Sequence, residues 1–199
     1  MKKTISALVA ISIVIAACNN NKPKDGITIT DKDGKEVVTI DPEKMKDAAE
    51  GMEKIKEDLG NLTPLSEDKL KAMIPEQLMG AAVSDAEVSG AAGAAVASGD
   101  YKVNDSTKVK LTIIDCAGPG GAGIYGLQYL GMLNVQQEDS DETNKTIDFN
   151  GAKAFEHCNK EDNECSFTYF AAGRFLVTLE GENVGVDGLK QAARGLNIK

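Results

Sequence analysis

Between residues 108 and 113 the chain reads Lys108, Val109, Lys110, Leu111, Thr112, Ile113. Such a period of two is met only by a strand with one face buried and one face wet, and a lone strand of this kind needs a sheet around it. Two later stretches, residues 146–157 and 166–180, are rich in Phe, Thr, Tyr and Val. In the second, Phe175, Val177 and Leu179 share one face while Arg174, Thr178 and Glu180 fall on or near the other. Gly173 bends or splits this run, and residues 101–103 read as a prefix to the 109–113 strand. Helical patterns occupy residues 122–135 and 186–196. Strands adjacent in sequence with helices set between them give an α+β fold with a mainly antiparallel sheet and helices packed on it.

The first third adds two smaller elements. Ile-Thr-Ile-Thr from Ile27 and Lys-Glu-Val-Val-Thr-Ile to Ile40 flank Asp31-Lys32-Asp33-Gly34, the pattern of a small hairpin. Asp41, Pro42 and Glu43 then supply a cap, a proline at the first helical position and an acid in the first turn. An amphipathic helix follows, with Met45, Ala48, Met52, Ile55, Leu59 and Leu62 in one stripe, and Gly60 ends it. That stripe fits a coiled coil as well as a helix packed on its own domain, but fewer than three heptads with Ala and Met in the seam make a weak zipper. Ser66 starts a short helix to about Met73. The stretch 81–99 is dominated by Ala, Gly, Ser and Val, and its segments 82–89 and 92–98 read as strands covered closely by something else.

Ahead of all this stand Lys2 and Lys3, an apolar run from Ile5 to Ala17, and Ile15-Ala16-Ala17-Cys18. The run is too short to span a bilayer as a stable helix and reads as a secretory signal. Its end resembles the lipobox of bacterial lipoproteins: an aliphatic residue, two small ones and a cysteine. The resemblance covers the leader alone. It implies that Cys18 is diacylated and becomes the mature N-terminus, with the membrane as partner through that lipid, and that the chain resides in the cell envelope. Asn19 directly after the cysteine, where an Asp retains such proteins in the inner membrane of enteric bacteria, implies the outer membrane. Residues 18–26, Asn-rich and without an apolar residue to pack beyond the cysteine, read as a flexible tether. The organisation is thus 1–17 signal peptide, 18–26 tether, 27–65 hairpin plus amphipathic helix, and 66–199 globular domain.

Past residue 17 the chain carries 20 basic against 31 acidic groups, which argues against binding nucleic acid by charge. Of the cysteines left after Cys18, Cys158 and Cys165 flank a polar stretch, and an exported protein oxidises such pairs; a bridge between them is expected, with Cys116 as a buried free thiol. A metal site of Cys116, His157, Cys158 and Cys165 has the wrong ligand spacing, and neither acidic cluster, 138–142 or 161–164, has the glycine and terminal Glu of an EF-hand. No metal and no cofactor is expected.

His157 is the only histidine and no G-x-S-x-G elbow occurs, so no catalytic residue is assigned. An enzyme would need a cleft gathering His157, Asp115 and Arg174. Gly118, Gly120 and Gly123 match the glycines of a dinucleotide fingerprint, but Pro119 sits inside the turn and no ribose-binding acid ends the next strand. That loop reads as a plain strand-to-helix turn. The helix after it is apolar nearly all round, which means burial or a receptive surface. Tyr125, Tyr129 and Met132 are its candidate binding surface, for another envelope protein or a hydrophobic ligand. A non-catalytic binding or envelope-interaction module is the leading expectation; a lipid carrier, with a cavity under that helix, and an extracytoplasmic enzyme are the alternatives.

Overall fold

The computed structural model describes residues 27–30, 36–40, 42–131, 136–138 and 140–198, with side chains described from Glu50 onward except at 91, 130–139 and 199. Cys18, the tether, the turn at 31–34 and Asp41 lie outside the described residues, as does the side chain of Met132. The chain divides into two compact units, Met1–Ala48 and Ala49–Lys199. In the first, β1 (Ile27–Thr30) pairs antiparallel with β2 (Glu36–Ile40), Ile27 opposite Ile40, and α1 (Pro42–Gly60) begins.

The second unit is a nine-stranded sheet with every neighbouring pair antiparallel. Its strands are β3 (Gln77–Leu78), β4 (Ala81–Ala91), β5 (Ala94–Lys102), β6 (Lys108–Asp115), β7 (Gln136–Glu138), β8 (Glu142–Phe149), β9 (Ala152–Asn159), β10 (Glu164–Ala171) and β11 (Phe175–Glu182). They lie in the order β3-β4-β5-β6-β11-β10-β9-β8-β7. Two meanders, β3 to β6 and β7 to β11, are therefore stitched edge to edge through β6 and β11, Lys108 opposite Glu182 and Asp115 opposite Phe175. The helices are α2 (Glu67–Lys71), α3 (Gly118–Gly131) between the meanders, and α4 (Val186–Gly195).

Alternation sorts the sheet into two faces. On one, Ala97, Tyr101, Val109, Leu111, Ile113, Val177, Leu179, Phe167 and Tyr169 form the main core, with Leu70 of α2 and Leu189 and Ala193 of α4 buried against them. Lys190 of α4 reaches Glu156 of β9 at 2.9 Å, and the Tyr101 hydroxyl donates to Pro75 O at 2.7 Å. On the other face a smaller core joins Met52 and Leu59 of α1 and Ala122 and Tyr125 of α3 to Leu176, with Ile114, Phe155 and Phe170 half-buried beside them. The part of the stripe in this unit, Met52, Ile55 and Leu59, is thus packed on the domain, while Leu62 is exposed. Residues 49–60, which the sequence groups with the hairpin, pack here.

Two strand readings are corrected and a third is borne out. Residues 101 and 102 end β5 and lead through a turn into β6 instead of prefixing it. The run 146–157 is two strands, because Asn150 (φ 52°) and Gly151 (φ 81°) make a two-residue turn whose doubly positive φ matches the twist of a hairpin. The run 166–180 splits at Ala172 and Gly173, as the glycine led us to expect. The 81–91 and 94–102 strands form, but the close covering expected of them is met only at their turn, where a Cβ at Gly120 of α3 would stand 2.5 Å from Gly93 O; much of β4 is exposed. The glycines after β6 therefore bring a helix end onto the β4–β5 turn, which is reason enough for their presence.

Candidate functional site

Helices α1 and α3 cover one end of their face, and the sheet register lays out what they leave open. Next to the small core lies a band of hydroxyls across four strands, Ser98, Thr112, Thr178 and Thr168, each opposite the next. Thr168 Oγ1 and Thr178 Oγ1 are 3.0 Å apart, and Ser98 Oγ donates to Glu87 Oε1 at 3.3 Å. Two residues further along each strand comes Asp100, Lys110, Glu180, Ser166, His157 and Asn144, again one per strand. Lys102, Lys108, Glu182 and Glu164 follow, with Lys108 Nζ 2.9 Å from Glu182 Oε2. Opposite charges face each other at Asp100–Lys110–Glu180 and at Lys108–Glu182, which favours this register, while Lys102 opposite Lys108 and Glu164 opposite Glu182 set like charges together. The charged rows, with Ser166 and His157, line a groove of about 690 Å³ running from Ser84 to His157. Asn144 Oδ1 lies 2.9 Å from His157 Nδ1 and so fixes the imidazole beside Ser166. The surface is polar and amphoteric, suited to hydrogen bonding and charge pairing with a ligand laid across the strands.

Asp115 and Arg174 are brought together elsewhere, at the end of β6. Arg174 donates to the fully buried Asp115 carboxylate through Nε at 2.8 Å and Nη2 at 2.9 Å, and through Nη2 to Thr63 O at 2.8 Å. The carboxylate also accepts from Leu65 N at 2.7 Å and Ala117 N at 3.1 Å. Burial by itself pushes this acid up, but the hydrogen bonds from Arg174, Leu65 and Ala117 and the guanidinium charge outweigh it and hold Asp115 below the usual carboxylate range. The pair pins the connector before α2 to the sheet. Its atoms are committed to one another, and His157 belongs to the open face instead, so the cleft an enzyme would need is not assembled from these three residues.

The expected bridge is present: Cys158 and Cys165 are directly opposed on β9 and β10 and joined. The Asn159 side chain organises the turn between them, accepting from Glu161 N at 2.9 Å and Asp162 N at 3.2 Å. That turn holds the second acidic cluster. Cys116 is free and buried; burial above all, with the Asp115 charge adding to it against a hydrogen bond from Leu176, pushes its thiol up to about 11. A thiolate is the reactive form, so iodoacetamide at pH 8 should label Cys116 only in denaturant, and non-reducing peptide mapping should return Cys158 and Cys165 in one linked fragment. Labelling of Cys116 in the folded protein would show that the β6 end opens.

The candidate surface on α3 divides. Tyr125 is 4% exposed, with its ring centroid 4.5 Å from Phe170 and 5.7 Å from Tyr129, and burial first, with Tyr129 and Cys116 adding, pushes its hydroxyl up to about 12. It is core. Tyr129 is half-buried, and Leu127, 75% exposed, is the residue that faces outward. The open sheet face itself escaped sequence reasoning, although the Lys108-Lys110-Thr112 alternation was its signal. No helix among the described residues is long and apolar enough to cross a membrane. Comparison with family models, curated proteins and solved structures gives no match.

Proposed function

We propose that this protein is a lipid-anchored module of the bacterial cell envelope that holds a partner, without catalysis, on the open polar face of its sheet. The observation that supports anchoring is the leader: two lysines, a short apolar run and Ile15-Ala16-Ala17-Cys18. Acyl chains on Cys18, at about 0.8 kcal/mol per buried CH₂, hold a protein to a bilayer essentially permanently. In this reading residues 1–17 are removed as a signal peptide, the diacylglyceryl cysteine seats the chain in the outer membrane, and the tether, the small hairpin and the amphipathic helix precede an α+β domain. The groove from Ser84 to His157 supports the binding role, because the charged residues that line it, among them Asp100, Lys108, Lys110, Glu180 and Glu182, are turned to solvent. A hydrophobic-ligand carrier fits less well, since the sheet-facing side of α3 is packed down on Phe170 and the β4–β5 turn.

Cys18→Ala should release the protein from membranes or leave the precursor uncleaved, read by fractionation and the mass of the N-terminal peptide. A processed variant that fractionates with membranes like wild type overturns the anchoring. A photo-crosslinker at Lys110 should trap a discrete species in intact cells where the same group at Glu67 on α2 traps none. Equal trapping at both positions overturns the role of the open face.

A further inference from the structure

The sheet has an edge that the described residues leave unfinished. The two-residue strand β3 pairs with β4 only through Gln77 opposite Ala82 and Leu78 opposite Ala81, and Val83 N–H donates outward to Glu76 O at 3.0 Å. Beyond that the outer side of β4 meets no strand among the described residues. A bulge sets Ser84 and Asp85 together against Asp100. Alternation from there places the backbone N–H and C=O of Ala86, Val88 and Gly90 on the open side, three residues' worth of main-chain donors and acceptors in a row. Edges of this kind are normally blunted by Lys, Pro or a covering element. This one carries neither residue, since no Lys or Arg occurs from Ala72 to Tyr101 and no Pro from Glu76 to Tyr101.

That absence also gives the edge a sign. Asp85 and Glu87 are exposed on the open face of the sheet, opposite Asp100 and Ser98, and Glu76 is exposed beside them, so the edge is acidic with no cation on its own strands. On the other face Ala86 and Val88 are half-buried against the main core and would extend it to an added strand. A second copy of this chain would bring like charge to like charge. It would also meet the edge through about eight residues a side, against the roughly 20–30 a side of a standard stable interface. An extended segment from another protein meets both conditions, as in recognition by strand addition, where main-chain bonds give affinity and alternate side chains give choice.

We infer that β4 is a docking edge for an extended basic segment of a partner protein, which adds as a tenth strand. Its Lys or Arg side chains lie at alternate positions toward Asp85 and Glu87, and small apolar residues lie toward Ala86 and Val88. This stands apart from the lipid anchor; the edge adjoins the groove, which Ser84 and Asp100 line, but the test reads the outward main chain of β4 and not the groove. The full chain in detergent is titrated with a labelled seven-residue peptide alternating Val and Lys, with the Val and Glu counterpart, and with the Val and Lys peptide N-methylated on alternate amides. The Val and Lys peptide should bind and slow hydrogen exchange over residues 84–91. N-methylation on the pairing side should weaken it at least tenfold. Val88→Pro, which removes an outward N–H and no inner ladder bond, should do the same. Asp85→Ser with Glu87→Ser should weaken binding about tenfold and flatten its salt dependence. Equal binding of the Glu peptide, unchanged exchange at 84–91, or indifference to N-methylation overturns the inference. So does a chain that binds no peptide but self-associates in a way Val88→Pro abolishes, which would make the occupant a second copy. Should Val88→Pro fail to fold, the N-methylated peptide reads the same bonds on the native chain.

Discussion

Replacing Arg174 with Met is expected to cost about 3–5 kcal/mol of stability at pH 7, because it strands the fully buried Asp115 charge and leaves Thr63 O without its donor. For a chain of this size that lowers the melting temperature by roughly 10 °C. The double variant Asp115→Leu, Arg174→Met should cost less than the sum of the two single changes, since no charge is then left buried; the N–H groups of Leu65 and Ala117 still lose their acceptor, so a penalty remains. The linkage has a defined sign. Asp115 titrates lower in the folded than in the unfolded chain. Its stabilisation is therefore present above about pH 4, where the unfolded carboxyl is ionised, and is lost as pH falls through the folded value. Thermal melts between pH 7 and pH 2 should show wild type losing this increment on acidification and the double variant lacking that component. An Arg174→Met protein that melts like wild type at pH 7 would mean the pair does not hold the connector.

Tyr125→Ala should cost about 3–5 kcal/mol, as truncation of a buried aromatic does, whereas Tyr129→Ser, at a half-buried position, should cost about 1 kcal/mol. The two residues are one helical turn apart and their rings touch, so propensity and local chemistry nearly cancel between them. What differs is the neighbour beneath: Tyr125 sits on Phe170 of the sheet. Chemical denaturation with both variants therefore measures how firmly α3 is seated. A loss below about 1 kcal/mol for Tyr125→Ala would mean the helix lifts from the sheet and would restore a receptive surface beneath it.

Where the chain's pattern was local, the sequence was readable. Lys110 and Thr112 do face away from the core that holds Val109, Leu111 and Ile113, since period two needs no knowledge of partners. The Asn150-Gly151 turn was equally local, yet the flanking β-rich residues masked it and two strands were read as one. The small residues of β4 and β5 were legible as strands, yet only the turn between them lies under a helix end, and much of β4 stays exposed. Asp115 and Arg174 are 59 residues apart in sequence and meet only because β6 pairs with β11. The open face needed more still: the register of six strands, and the fact that α1 and α3 stop short of covering it. Neither is encoded in any window of ten residues.

The seam between the two meanders also governs how the chain reaches this state. Within each meander every pairing joins strands adjacent in sequence, and the Cys158–Cys165 bridge closes a separation of only seven residues. The seam instead joins Lys108 to Glu182 across 74 residues. Loop-closure entropy has to be met before contacts so distant return any stabilisation. Each meander can thus assemble early, and oxidation of the bridge belongs to that stage. Closing β6 on β11 is the late step, during which two long unpaired edges lie open to aggregation. A slow refolding phase should accordingly be sensitive to substitutions along β6 and β11 and indifferent to those in the β8–β9 turn.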